Sequence, residues 1–223
     1  MWCSDFDWAV FQTSGLEVVS HGSVERRFDS ETRLSPVTHG LASWLIADGV
    51  ALSRRELLAI TVAGILPDLD GLGIALDLLG EALGIPQSNW YEKYHHHLLH
   101  GGLGAVVVLI VTWLIGCRNR RSLIAALFAF HLHLFCDVVG SRGPGVTDVW
   151  PIHYLAPFSD AWTVEWSKQW VLNGWQNVSL TGILLLLTWN RAIHSGRTPL
   201  VFCSQGANDR TVTVLRCWAG WVK

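Results

Sequence analysis

Charge is scarce in this chain. Of its 223 residues, 15% are charged and 50% are hydrophobic, whereas a soluble domain carries about 25% charged residues. Neither sign dominates. A net charge of -2 gives no basic surface for nucleic acid and no strong pull on acidic substrates. A cysteine framework is also missing. The five cysteines (Cys3, Cys117, Cys136, Cys203 and Cys217) are odd in number and follow no CxxC spacing, which excludes a disulfide scaffold and a thiolate zinc knuckle. Cys117 and Cys136 lie in apolar runs and read as small buried residues. The first 34 residues lack the basic start and apolar run of a secretory signal. With Glu25-Arg26-Arg27 and Asp29-Ser30-Glu31 they read as an irregular arm, or as a start placed too far upstream. Residues 196–223 read as an irregular tail. No internal repeat or low-complexity tract is found.

What is abundant is apolar sequence and tryptophan. The 13 Trp suit a membrane interface. Five apolar segments follow one another: Pro36 to Leu52; Glu56 to Leu66, continuing after a break to Leu79; Gly101 to Cys117; Ser122 to Val139; and Val171 to Trp189. A spanning helix needs about 20 apolar residues, so the third and fifth qualify on length. Leu66-Pro67-Asp68 stops the second, because proline disfavours helix at the residue before it. Gly140, Gly143, Pro144 and Gly145 stop the fourth, and Ser141 to Lys168 reads as a structured interfacial loop. The expected architecture is an all-α, membrane-embedded, up-and-down bundle of about five helices over residues 35–195.

The basic residues orient that bundle. Arg54-Arg55, then Arg118, Arg120 and Arg121, then Arg191 and Arg197 fall on one side of an up-and-down path. The positive-inside rule makes that side cytoplasmic. The acids and imidazoles fall on the other. His39 opens the first helix, Asp68 and Asp70 follow the second, and His95, His96, His97 and His100 precede the third. His131, His133 and Asp137 lie late in the fourth, and His153 follows it. In an antiparallel bundle these positions share one end. His133 and Asp137 are spaced i,i+4 and so share a helix face, and His96 and His100 have the same separation. Imidazole and carboxylate are the donors that zinc and similar ions take. The same groups could instead serve singly as turn caps, a solvated histidine run or a metal-free ion pair.

Ser35-Pro36-Val37-Thr38-His39-Gly40, Leu66-Pro67-Asp68-Leu69-Asp70, the His95–His100 block, His131-Leu132-His133 through Asp137, and Trp150-Pro151 occur in an ordered set. The set resembles YdjM-like inner-membrane metal-dependent hydrolases over residues 35 to about 190. The resemblance implies kinship with zinc-dependent phospholipase C and fungal single-strand nucleases, and hence a phosphoester hydrolase. It implies His39, Asp68, His100, His133 and Asp137 as ligands, with His95 or His96 as a further one. Two departures stand out. His96 takes the place of the family's arginine, and Leu99-His100-Gly101 replaces Thr-His-Ser.

The reading is therefore a multi-pass protein of a prokaryotic inner membrane, with one to three divalent ions, zinc foremost, at the extracytoplasmic end. Asp68 is expected as a bridging catalytic carboxylate, with Asp70 as a second catalytic carboxylate or as the group that orients a ligating histidine. The substrate is expected to be a small-molecule or lipid phosphoester, with no nucleic-acid partner. The alternative is a non-catalytic metal-binding or ion-handling membrane protein. Single cysteines introduced in the Arg118–Arg121 loop and beside Trp150 should react with impermeant reagents from opposite faces of the membrane. Labelling of both from one face would sink this topology.

Overall fold

The structure is a computed structural model that describes residues 35–85, 89–95 and 97–221. The arm at 1–34 and His96 lie outside the described residues. The chain is mostly helical. Helix α1 (Ser35–Val50) turns into α2 (Arg54–Ala63), followed by a 3-10 segment (Leu66–Leu72), α3 (Gly73–Ala82) and α4 (Trp90–Tyr94). Helices α5 (Gly102–Leu114) and α6 (Arg120–Gly140) come next, then a two-stranded antiparallel hairpin, β1 (Ile152–His153) and β2 (Thr163–Val164). Helix α7 (Trp175–Ser195), a 3-10 turn (Pro199–Phe202) and α8 (Gln205–Trp218) complete the chain.

Local chemistry sets these boundaries. Ser53 and Glu56 close a reciprocal capping box at the start of α2. Pro67 has no N–H to continue the helical ladder. The path bends by 52° between α2 and the Leu66–Ala82 stretch. The side chain of Asn119 caps α6 by accepting from the Ser122 N–H at 2.9 Å. The core lies where α1, α2, α5 and α6 meet, around Trp44, Ile60, Val108 and Phe130. Small residues at Ala59, Ala63, Ala125, Ala126 and Ala129 are buried there.

Four expectations are corrected. The third apolar segment forms a helix of 13 residues, about 20 Å long at 1.5 Å per residue and short of a bilayer core; the chain leaves the helix before Gly116, whose φ is +97°. The fourth segment, rather than the third or fifth, joins sufficient length to sufficient apolar content. Among the described residues α6 is long and apolar enough to cross a membrane, and a second span arises if α2 and the Leu66–Ala82 stretch count as one broken element. The fifth helix begins four residues late, because Val171 and its neighbours pair with Arg142 as extended backbone. The C-terminal region is not irregular: α8 packs on α7 through buried Asn208 and Val212, spaced i,i+4. Its polar composition hid that short stripe.

The arginine loops gather at one end. Glu56 beside the α1–α2 turn accepts from the Asn119 side chain at the α5–α6 turn, and Arg54 donates to the Phe202 carbonyl. There the buried carboxylate of Asp48 binds Arg191 and Arg197. At the other end, Thr38 and Thr181 bond at 2.6 Å across α1 and α7. Asn177 donates to the carbonyls of Gly140 and Leu172, both at 2.8 Å.

One close approach fixes α1 against the end of α2. A Cβ added at Gly64 would stand 2.7 Å from the Ser43 Cβ and closer still to its hydroxyl. Gly64→Ala is therefore expected to destabilise the fold by roughly 1–3 kcal/mol through overpacking. Thermal unfolding in detergent checks this, and an unchanged transition would refute the close-packing account.

Candidate metal centre

Four parts of the chain deliver side chains to one point. His39 comes from the first turns of α1, Asp68 and Asp70 from the 3-10 segment, His100 from the chain entering α5, and His133 and Asp137 from α6. His133 and Asp137 follow each other by one turn, so both face inward. His100, His133 and Asp137 are buried, at 1%, 1% and 5% exposure. Charged or ligating groups are rarely so deep unless paired or bound to an ion.

The atoms converge tightly. His133 Nε2 lies 3.0 Å from Asp137 Oδ2 and 3.3 Å from His100 Nε2. His100 Nε2 lies 3.4 Å from the same oxygen. An ion with tetrahedral ligands at about 2.0–2.1 Å sets those ligands about 3.3–3.4 Å apart. The triangle of His100, His133 and Asp137 therefore has nearly the edge lengths of such a coordination shell. Asp137 Oδ2 is buried and accepts no aligned hydrogen bond, although both imidazoles stand over it. His39 Nε2 lies 3.2 Å from Asp137 Oδ1, and Asp68 Oδ1 lies 3.6 Å from His133 Nε2. Three overlapping groups result: His39, Asp68 and His133; His100, His133 and Asp137; and Asp70, His95 and His100. These buried groups could hold a metal ion.

The outer bonds orient these side chains. His133 donates from Nδ1 to the Gly64 carbonyl at 2.8 Å, which leaves Nε2 to face the centre. Asp70 accepts from His100 Nδ1 at 2.9 Å and from His95 Nδ1 at 2.8 Å. Its Oδ2 also takes the Leu99 N–H at 3.3 Å. The two carboxylates expected to be catalytic thus differ. Asp70 is buried and occupied by imidazoles, as a group that orients histidines would be. The Asp68 side chain is 22% exposed, and its Oδ2 has no hydrogen-bond partner among the described residues.

His95 is held by Asp70 and stacks on Tyr91, with ring centroids 4.6 Å apart. Burial, with Asp70 and Asp68 nearby, pushes the Tyr91 phenol up to about 12. His131 lies outside the cluster and bonds Tyr154 at 3.0 Å. His153 also lies outside it. Sequence reasoning missed Gly64 and Tyr91. A backbone carbonyl carries no residue signature, while the Trp90-Tyr91 pair before the histidine run was a usable hint.

Gly101 explains one departure from the expected motif. A Cβ there would meet the Tyr154 carbonyl oxygen at 2.5 Å. Glycine lets the His100 segment pass close to the chain beyond β1, and the Gly102 N–H donates to that carbonyl at 2.7 Å.

A family model described as YdjM inner membrane protein matches residues 34–213. The match covers most of the chain and includes every residue of the cluster and much of α8. No curated protein and no solved structure matches it. The chain belongs to the YdjM inner membrane protein family, and membrane association follows from that membership.

Burial opposes charge on His100, but the carboxylates of Asp137 and Asp70 beside it outweigh that and push its pKa up to about 9. Without an ion, His100 therefore carries a proton at neutral pH. A metal must displace that proton, so the sign is fixed: affinity is low where His100 is protonated and rises as pH increases toward about 9. The expected slope is about tenfold in affinity per pH unit for one displaced proton. Competition titrations between pH 6.5 and 9.5 check this, and a flat profile would contradict it.

Proposed function

We propose that this member of the YdjM inner membrane protein family is a multi-pass, metal-dependent hydrolase acting on a phosphoester. The observation that carries the reading is the buried triangle of His100, His133 and Asp137, with its zinc-like edges, set beside the less buried carboxylate of Asp68. When bound, a divalent ion supplies a Lewis acid and makes water nucleophilic near neutral pH. Zinc suits a mixed imidazole and carboxylate set at this spacing, and the three overlapping groups allow one to three ions.

The chain's own residues supply position and access. Asp137 faces three imidazoles and fixes the centre. Asp70 clamps His95 and His100 so that their rings cannot turn away. Asp68 sits just after Pro67 on a short, stiff turn, with one oxygen toward His133 and the other unpartnered. It is the carboxylate that would be best placed to help hold an ion beside the triangle or to take a proton from the attacking water.

A cavity of about 280 Å³ opens beside the cluster between α1, α6 and α7. His39 and Asp137 form part of its wall, and Leu132, Phe135, Trp170 and Leu180 line much of the rest. An apolar pocket with a few polar groups at one side suits a substrate with an apolar portion. This favours a lipid or lipid-linked phosphoester. The arginine end would face the cytoplasm and the metal centre the opposite side.

The full burial of His100, His133 and Asp137 favours one rival, a binder that holds its ion without chemistry. Asp68→Asn separates the two, since it keeps the shape and removes the charge. Turnover of a phospholipid or phosphodiester in a substrate scan should fall about a hundredfold or more, with at least one ion per chain retained. Unchanged turnover would remove Asp68 from the chemistry. Tight metal binding with no turnover across phosphoester, lipid and amide substrates would establish the passive binder.

A further inference from the structure

The segment that supplies His95 and His100 to the buried centre also carries His97, which belongs to none of the buried groups. The His97 ring stacks on His153, with centroids 4.5 Å apart and planes 22° from parallel. His153 stands on β1 opposite Thr163 of β2. Asp160, between the two strands, brings Oδ1 to 3.6 Å from His153 Nδ1. Each of His97, His153 and Asp160 offers a ligand atom within 4.8 Å of the others.

Several features separate this cluster from a chance surface ion pair. An ion pair needs one imidazole and one carboxylate, whereas here a second imidazole is stacked on the first. If both rings were protonated, their charges would repel across that stack; a shared cation instead uses both lone pairs. His97 is also oriented. Its Nδ1 lies 3.4 Å from the His95 carbonyl, which can only accept, so Nδ1 carries the hydrogen and Nε2 is left for a ligand. This is the device that aims His133 from the Gly64 carbonyl. The Thr163 hydroxyl ties the hairpin together. It donates to the Asp160 carbonyl at 3.2 Å and lies 3.2 Å from His153 Nδ1.

We propose that His97, His153 and Asp160 form a second, solvent-facing site for a first-row divalent cation such as zinc, nickel or copper. Two imidazoles and one carboxylate are a donor set that these ions favour. The Asp160 side chain is 82% exposed, so water completes the coordination and the ion exchanges freely. This site therefore binds more weakly than the buried centre. The inference does not rest on the hydrolase reading.

The test is a zinc titration of the full chain, purified in detergent and stripped with a chelator, read by equilibrium dialysis with metal analysis. Wild type should show a tight and a weak class of site. Asp160→Asn and His153→Ala should each lose one zinc per chain from the weak class and keep the tight class. His133→Ala should do the reverse. Asp160→Asn keeps the test decisive even if His153→Ala fails to fold, because its side chain is almost free of packing. With copper in the weak class, electron paramagnetic resonance should show two imidazole nitrogens in wild type and one in His97→Ala. Zinc isotherms of Asp160→Asn and His153→Ala that superimpose on wild type would overturn the proposal.

Discussion

The carbonyl of Gly64 accepts the Nδ1 proton of His133, and the missing side chain of the same glycine lets α1 lie almost in contact with the end of α2. A side chain at position 64 would push Ser43 and α1 away. With α1 would go His39, which faces Asp137 from the other side. The same bond dictates which nitrogen of His133 looks inward. A packing constraint between two helices and the tautomer of one imidazole thus meet at a single residue. The convergence of His39, Asp68, His100 and Asp137 around His133 depends on it.

Around that hub the carboxylates divide the work by depth. Asp137 sits at the bottom and meets His39, His100 and His133. Asp70 sits behind and holds two rings by their outer nitrogens, as outer partners of metal-binding histidines do. Asp68 sits forward, where solvent reaches it. Three aspartates within 70 residues of one another are chemically alike in sequence. Only burial and partner distances tell them apart.

Much of the helical framework was legible. Apolar runs bounded by Pro67 and by the glycines after Val139 marked α1, α2 and α6 closely, because each run is long and its stop signal strong. The i,i+4 spacing of His133 and Asp137 was readable for the same reason. Helix α5 was overextended because Ile115-Gly116-Cys117 is apolar, and only the left-handed turn at Gly116 ends it. Helix α8 was missed because its buried stripe is two residues long, one of them the polar Asn208. Asn177, which weakened the fifth segment as a span, closes the Gly140 carbonyl that α6 leaves open at its end. The loop after α6 was expected to be structured, but pairing of β1 with β2 rests on backbone bonds that side-chain patterns this short do not encode.

The two polar locks on α1 have a consequence for how the molecule is made. Thr38 bonds Thr181 and Asp48 binds Arg191, and in both cases the partners are 143 residues apart. During synthesis the ribosome has finished α1 to α6 before either partner of α1 exists. Contacts of such high sequence separation come late, since the intervening chain must lose its freedom before they reward it. The clustered histidines and aspartates of α1, the 3-10 segment, the chain entering α5 and α6 can gather earlier, while the Asp48 carboxylate still waits for its arginines. A nascent chain can therefore assemble its cluster of histidines and aspartates before its last helices have left the translation machinery, and α7 would close a bundle already organised around that cluster.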